Sequence, residues 1–507
     1  MTIVRARSLS GAVLPIFLDP SSAARVARAV AAKLLGVEEE RVRLLAAGNG
    51  ALLLDGTSLE EQLEFFTLDE STTVAEVTVI VMSEPDEETL EQELLCAARA
   101  DSFTDLLPRR VLELSRKNLG VLPASLGKLV SLRTLNLSDN RLARLPDSLD
   151  GLVELQVLDL SHNSLACLPE GFGRLNSLEV LHLGQNQLED LSDGFCELNS
   201  LQVLHLEGNS LVSLPGNFGQ MGSLQQLYLC DNELRALPET FGMLVRLHTL
   251  ECRNSLLSTL PRGFSQLARL TAVDLYSNLL QALPEDFGLL HELRVLNIDG
   301  NQLVSLPQGV ELPLLETLHI EGNALRTFPE VVGRFAGLRC LRAEGNQICE
   351  LPENFGQLHD LQSLFLARNQ LVSLPESFGN LSSLQRLQLE RNQLECLPEL
   401  VALQILHIGN NVLTELPDSF NQLAMLQILL ADENRLSTLP SGLCLSSSLK
   451  HISLAGNLLE ALPNEDPPPS LHTVSLCGNR LMCLPAGWAS LSHSTSVAFR
   501  WGNQQLA

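Results

Sequence analysis

The chain is 507 residues long, 45% hydrophobic and only 4% aromatic, so its interior has to be built chiefly from leucine, which suits a repetitive architecture better than a varied globular core. Its formal net charge of −26 argues against general binding to nucleic acid or anionic membranes, which are themselves negative, and favours a protein partner with basic patches. The 11 cysteines are odd in number and scattered, several of them (Cys167, Cys252, Cys349) at repeat positions beside leucines. They read as buried free thiols in a reducing compartment, and with no secretory signal and no apolar run of about 18 residues the expected location is the cytoplasm, without a membrane span.

In chain order, residues 1–82 come first and follow no repeat. TIVRARSLSGAVLPIFLDP reads as a hairpin turning at Ser10-Gly11, SSAARVARAVAAKLLGV as a helix capped by Ser21 or Ser22, RVRLLAAG as a short strand and STTVAEVTVIVM as a last strand. Pro15 inside the second strand is tolerable only at a sheet edge. With S-L-S-G at 8–11, a helix after Asp19-Pro20, R-L-L-A-A-G at 43–48, D-G-T-S-L at 55–59 and E-S-T at 70–72, the segment resembles ubiquitin, which implies a small β-grasp domain. The chain runs on as SEPDEETLEQ where ubiquitin has its glycine pair, so the resemblance implies recognition and not conjugation. The positions matching ubiquitin's recognition patch are Leu9, Leu45 and Val79; the alternative is that they pack on the next domain. Residues 83–108 carry eight acidic residues and one arginine. Leu90, Leu94, Leu95 and Ala98 recur at helical spacing there, as expected of an acidic helical linker that caps the open edge of the next domain.

From 109 to 485 internal repeats dominate. One unit, SLRTLNLSDNRLARLPDSLDGLV, is 23 residues long, and its frame L-x-x-L-x-L-x-x-N-x-L-x-x-L-P recurs from Leu132 to Leu471 behind a degenerate first copy, 17 copies in all. Alternation in x-L-x-L-x gives a short strand with one face buried, so Leu135 and Leu137 point inward. Stacking the copies at about 4.8 Å makes a parallel sheet on the order of 80 Å long, in which each repeat buries its neighbour's leucines. Asparagine fills its column in 15 of 17 copies, where a side chain that both donates and accepts satisfies the backbone of the turn; Ser255 breaks the column, and a local irregularity is expected there. Proline ends the motif in 16 of 17 copies, with Ser192 as the exception. A phenylalanine column (Phe172, Phe195, Phe218, Phe241, Phe264, Phe287, Phe355, Phe378, Phe420) reads as a spine under the convex side and not as a ligand cage. The copy from Leu384 runs only 19 residues. Residues 486–507 lose the leucine frame and are expected to cap the end, with Trp488 taking over the phenylalanine column.

These repeats resemble the leucine-rich-repeat superfamily, specifically its 23-residue intracellular class, in the style of Ras-linked scaffolds and the plant Ras-group-related repeat proteins. The resemblance covers about three-quarters of the chain. It implies an α/β horseshoe solenoid with its parallel sheet on the concave face, a role as a non-enzymatic interaction scaffold, and by analogy intracellular signalling. Ubiquitin-binding or proteasomal factors would read the first domain. The rival is a substrate adaptor or component of a ubiquitin ligase system.

No phosphate loop, kinase signature, nucleophile elbow, H-E-x-x-H or paired-cysteine zinc site occurs, so no catalytic, cofactor or metal residue is assigned. Specificity is expected on the outward columns of the strands. His182, His205, Tyr228 and nearby Tyr276 form an amphipathic stripe, and tyrosine is enriched at interfaces. Zinc on His182 and His205 would need further ligands, for which only Asp159 and Tyr228 flank them; exposed histidines on a binding face are the better reading. Further on, Arg339, Arg342, Arg368, Arg386 and Arg391 surround Phe365. They are either a salt-bridge lattice neutralised by Glu344 and Glu390 or a docking site for an acidic or phosphorylated partner.

Overall fold

The computed structural model describes residues 86–400, 402–492 and 498–500, and within the first 85 residues the backbone of four strands. The chain forms two compact units, Met1–Gln92 and Glu93–Ala507. In the first, β1 (Thr2–Ser8), β2 (Val13–Leu18), β3 (Val42–Ala46) and β4 (Val74–Val81) make one sheet in the order β2-β1-β4-β3. β1 and β4 run parallel, and the outer pairs are antiparallel. Pro15 stands opposite Arg5 on β2, an edge strand of these four, the kind of strand on which proline is tolerated. The helix expected between β2 and β3 falls outside the described residues.

Helix α1 (Glu87–Ala98) follows. Leu94 and Ala98 are buried in the same core as the first repeats, and Leu95 packs against it. Arg109 Nη1 donates to the Ala98 carbonyl oxygen at 2.9 Å, placing a cation on the carbonyl end of the helix.

The second unit is a stack of 18 parallel three-residue strands, from β5 (Val111–Glu113) to β22 (Ala498–Arg500), each paired in register with the next. This is one strand more than the 17 repeats: Ala498 pairs with Thr473 and continues the ladder through the tail. Before it lies α2 (Ala486–Ser492), whose Trp488 is fully buried in the shared core. In most strands the central residue is buried while its two neighbours stay partly open, as alternation requires. The return path is a short 3-10 turn opened by the proline, as in Glu239–Met243 behind Pro238. Its phenylalanine stacks on the next one: Phe218, Phe241 and Phe264 lie 6.3 Å apart with rings within 4° of parallel. Val310 and Val332 fill the interior where the phenylalanines stop.

The asparagine column ties each repeat to the one before it. Asn209 Oδ1 accepts the Leu188 N–H, and its Nδ2 donates to the carbonyls of Leu183 and Leu206, all at 3.0 Å. Just ahead of the asparagine column the chain turns through one left-handed residue in each of the 17 copies. Six of these are glycines and eleven are not, among them Ser277 at φ 55°, Arg368 at 56° and Arg391 at 58°; outside glycine this conformation costs roughly 1–2 kcal/mol.

Two expectations need correction. The irregularity expected at Ser255 does not arise in the backbone: Thr249–Glu251 pairs in register on both sides, and what Ser255 loses is the set of bonds an asparagine makes. The cysteines are all free, but only Cys196, Cys230, Cys252 and Cys444 are buried; Cys167 and Cys349 are among the five that are exposed, because they stand in columns outside the leucine frame.

Candidate protein-binding face

The register brings the predicted aromatic stripe together. His182, His205 and Tyr228 end three successive strands (Val180–His182, Val203–His205, Gln226–Tyr228) and pair directly across the ladder. The two imidazoles stack with centroids 4.5 Å apart and 25° between planes, and His205 lies 4.2 Å from Tyr228 at 11°. Stacked pairs of this kind gain about 0.5–1.5 kcal/mol beyond burial. Tyr276 is exposed and lies two repeats past Tyr228; no ring contact joins it to the stack among the described residues.

Beside the stack stands Glu207, which lies outside the predicted stripe. Its Oε2 is 3.3 Å from His205 Nδ1. The carboxylate occupies the space over Gly184, where a β-carbon would meet Glu207 Oε1 at 2.6 Å. Burial pushes the Glu207 pKa up, but the close approach of His205 and the charges of both histidines outweigh it, and the carboxyl ends below its usual range. Burial, with the charge of His205 second, holds the His182 imidazole below its usual range. Burial raises the Tyr228 hydroxyl, helped by Glu251 and Glu207.

Arg253 separates this stack from Tyr276. Its guanidinium reaches Glu251 at 3.0 Å, Asp274 at 3.6 Å and Cys230 Sγ at 3.4 Å. Further on, a second cluster centres on Arg342. Nη2 lies 3.1 Å from Glu321 and Nε 3.4 Å from Glu344, and the guanidinium carbon sits 5.5 Å from the Phe365 ring centroid, a cation–π geometry. His319 Nδ1 is 4.0 Å from Asp299. Burial raises the Asp299 carboxyl to about 6, and burial lowers His319 and His407.

The arginine cluster therefore splits. Arg339 pairs with Glu316 at 3.8 Å, and Arg342 pairs with two glutamates. Arg368, Arg386 and Arg391 are exposed and have no ion pair among the described residues. Glu344 neutralises as the sequence suggested. Glu390 does not: its Oε2 is buried without a hydrogen-bond partner, and its charge acts on His407. Glu207, Arg253, Asp299, Glu321 and Glu344 share one column, two residues past the strand end. A reading confined to the strand column misses most of it, although the acidic run at that spacing is visible in the repeats.

Among the described residues no group of three or more His, Cys, Asp or Glu is placed to hold a metal. No helix there is long and apolar enough to cross a membrane. In the first unit Leu9 lies outside the described residues. Leu45 stands on β3 opposite Thr78, and Val79 on β4 opposite Leu44.

The leucine rich repeat family matches residues 109–165, 168–211 and 352–394. No curated protein matches the chain. Among solved structures, a leucine-rich-repeat protein of Leptospira interrogans is 29% identical over 82% of this chain and 100% of its own, with a TM-score of 0.64. YopM, a leucine-rich effector protein from Yersinia pestis, is 27% identical over 78% of this chain and 95% of its own, at 0.53. The plant peptide hormone receptor RGFR1, solved in complex with RGF2, is 26% identical over 73% of this chain and 74% of its own, at 0.56. The parallel-sheet stack is thus a leucine-rich-repeat solenoid.

Proposed function

We propose that this protein is an interaction scaffold that captures a protein partner on the outward face of its repeat strands, in intracellular signalling. The observation that carries this reading is the His182–His205–Tyr228 stack, an ordered aromatic strip standing on strand positions that the chain's own packing leaves partly open. Rigid aromatic surface flanked by Glu207, Glu251 and Asp274 suits a partner that offers basic and apolar groups. The complex of RGFR1 with RGF2 supports partner holding as a use of such a solenoid. For the first unit, the strand order with a parallel central pair supports a ubiquitin-like module that ubiquitin-binding factors recognise.

The test is affinity capture with the full chain against the His205→Ala/Tyr228→Ala variant, both shown to fold by circular dichroism, followed by titration of the captured partner. Loss of the stack is expected to weaken the partner by about tenfold or more, the range of an interface anchor. Equal affinity for both proteins removes the assigned face.

A further inference from the structure

In the left-handed column ahead of the asparagines, neighbouring side chains reach one another along the stack. Arg116 Nε meets Asp139 at 3.2 Å, and Asn254 Nδ2 donates to Asp231 at 2.8 Å. The Gln185 side chain and the Glu433 carboxylate lie over Gly208 and Gly456, the next residues in the column. Each contact joins groups that attract or leaves room for one another. Arg368 and Arg391 are the exception, the single place in the column where two like charges are neighbours.

The backbone holds them close. The Arg368 N–H donates to the Glu390 carbonyl at 2.8 Å, and Arg391 is the next residue, so the two α-carbons stand about one strand spacing, roughly 5 Å, apart. Both are exposed, both occupy a conformation that disfavours a side chain, and neither has a carboxylate partner among the described residues. The chain holds 60 acidic residues, yet the nearest in sequence, Glu390, forms no ion pair with either arginine, and its Oε2 is buried without a hydrogen-bond partner. Phe365 ends the strand that leads into Arg368, and Arg342 ends the strand before it.

We propose that Arg368 and Arg391 form a two-guanidinium clamp for a phosphate dianion carried on a side chain of the captured partner. Two guanidinium forks on turns one strand apart can each offer paired N–H donors to separate oxygens of one phosphate, and the doublet's two positive charges match the dianion. This rests on the face proposed above and adds the chemistry of the partner.

The probe is a short fluorescent Gly-Ser peptide carrying one phosphoserine, titrated by anisotropy into the full chain beside its unphosphorylated and glutamate counterparts. The phosphorylated peptide is expected to bind best. Arg368→Gln and Arg391→Gln are each expected to weaken it by about tenfold, and Arg386→Gln, at the far end of its strand, by less than about threefold. Arg368→Gly guards against a folding artefact, since glycine suits φ 56° and removes only the side chain. It is expected to melt no lower than wild type and to bind as weakly as Arg368→Gln. The clamp is overturned if wild type binds the glutamate or unphosphorylated peptide as well as the phosphorylated one. It is also overturned if the Arg368 and Arg391 variants bind like wild type, or if Arg386→Gln loses as much as they do. The peptide needs no natural partner, so its failure leaves the capture result with His205 and Tyr228 standing, and failed capture leaves the peptide result standing.

Discussion

Replacing Ser255 with asparagine should stabilise the solenoid. In the flanking copies the column residue accepts one N–H from the previous repeat: Asn232 takes that of Leu211 and Asn278 that of Leu257, each at 3.0 Å. The equivalent donor for position 255 is the N–H of Leu234. Leu234 is fully buried, and among the described residues its N–H has no acceptor. The carbonyls that a side-chain amide at position 255 would reach, those of Leu229 and Cys252, already accept from Asn232 and Asn278 at 3.0 and 2.7 Å, so the gain lies mainly in the stranded Leu234 donor. A buried unsatisfied group costs roughly 1–3 kcal/mol, and that is the stabilisation expected of Ser255→Asn. Cys252 stands where neighbouring copies have Leu229 and Leu275, so the larger side chain has space. Guanidinium denaturation gives the overall change. Amide hydrogen exchange at Leu234 gives the local one, since repeat stability is a sum of neighbour terms. Unchanged exchange at Leu234, or a variant less stable than wild type, would refute the reasoning.

Phe241→Ala removes a fully buried ring stacked on both Phe218 and Phe264; a loss of about 3–5 kcal/mol in denaturant unfolding is expected, and a loss below about 1 would deny the spine its role in the core. Ser277→Gly, at φ 55°, should raise stability by about 1 kcal/mol, with no change in melting as the contrary result. Asp299 gives a pH signature. Its folded pKa of about 6 lies above the ordinary value of 3.8, so the carboxyl favours folding below 3.8 and that contribution is lost as pH rises through about 6. Asp299→Asn keeps an acceptor for the Glu321 N–H and should therefore gain on wild type across that interval, by on the order of 1–3 kcal/mol at neutral pH; parallel stability profiles for the two proteins would exclude it.

The leucine, asparagine and phenylalanine columns were legible because each answers to one fixed demand, an inward position, an unpaired turn or a convex void, that recurs at the same spacing. The register that stacks His182 on His205 and Tyr228 followed from the same periodicity. Whether an arginine is paired was not legible. Arg342 finds Glu321 and Glu344, while Arg391, on a left-handed turn, forms no ion pair with the adjacent Glu390, whose Oε2 is buried. Neither outcome is written in residue type. The last strand, Ala498–Arg500, carries no leucine and announces itself only by continuing the ladder.

The abbreviated copy between Leu384 and Leu403 shows where this architecture is elastic. Although it is 19 residues long, Asn411 still accepts the Leu394 N–H at 3.0 Å and donates to Leu389 and Ile408 at 2.9 and 3.0 Å, and Arg386–Gln388 still pairs in register with Ile405–His407. Four missing residues are absorbed entirely on the outer arc. Insertions and deletions confined to that arc should leave the spacing of the presented side chains untouched, so the surface that meets a partner is insulated from length variation behind it.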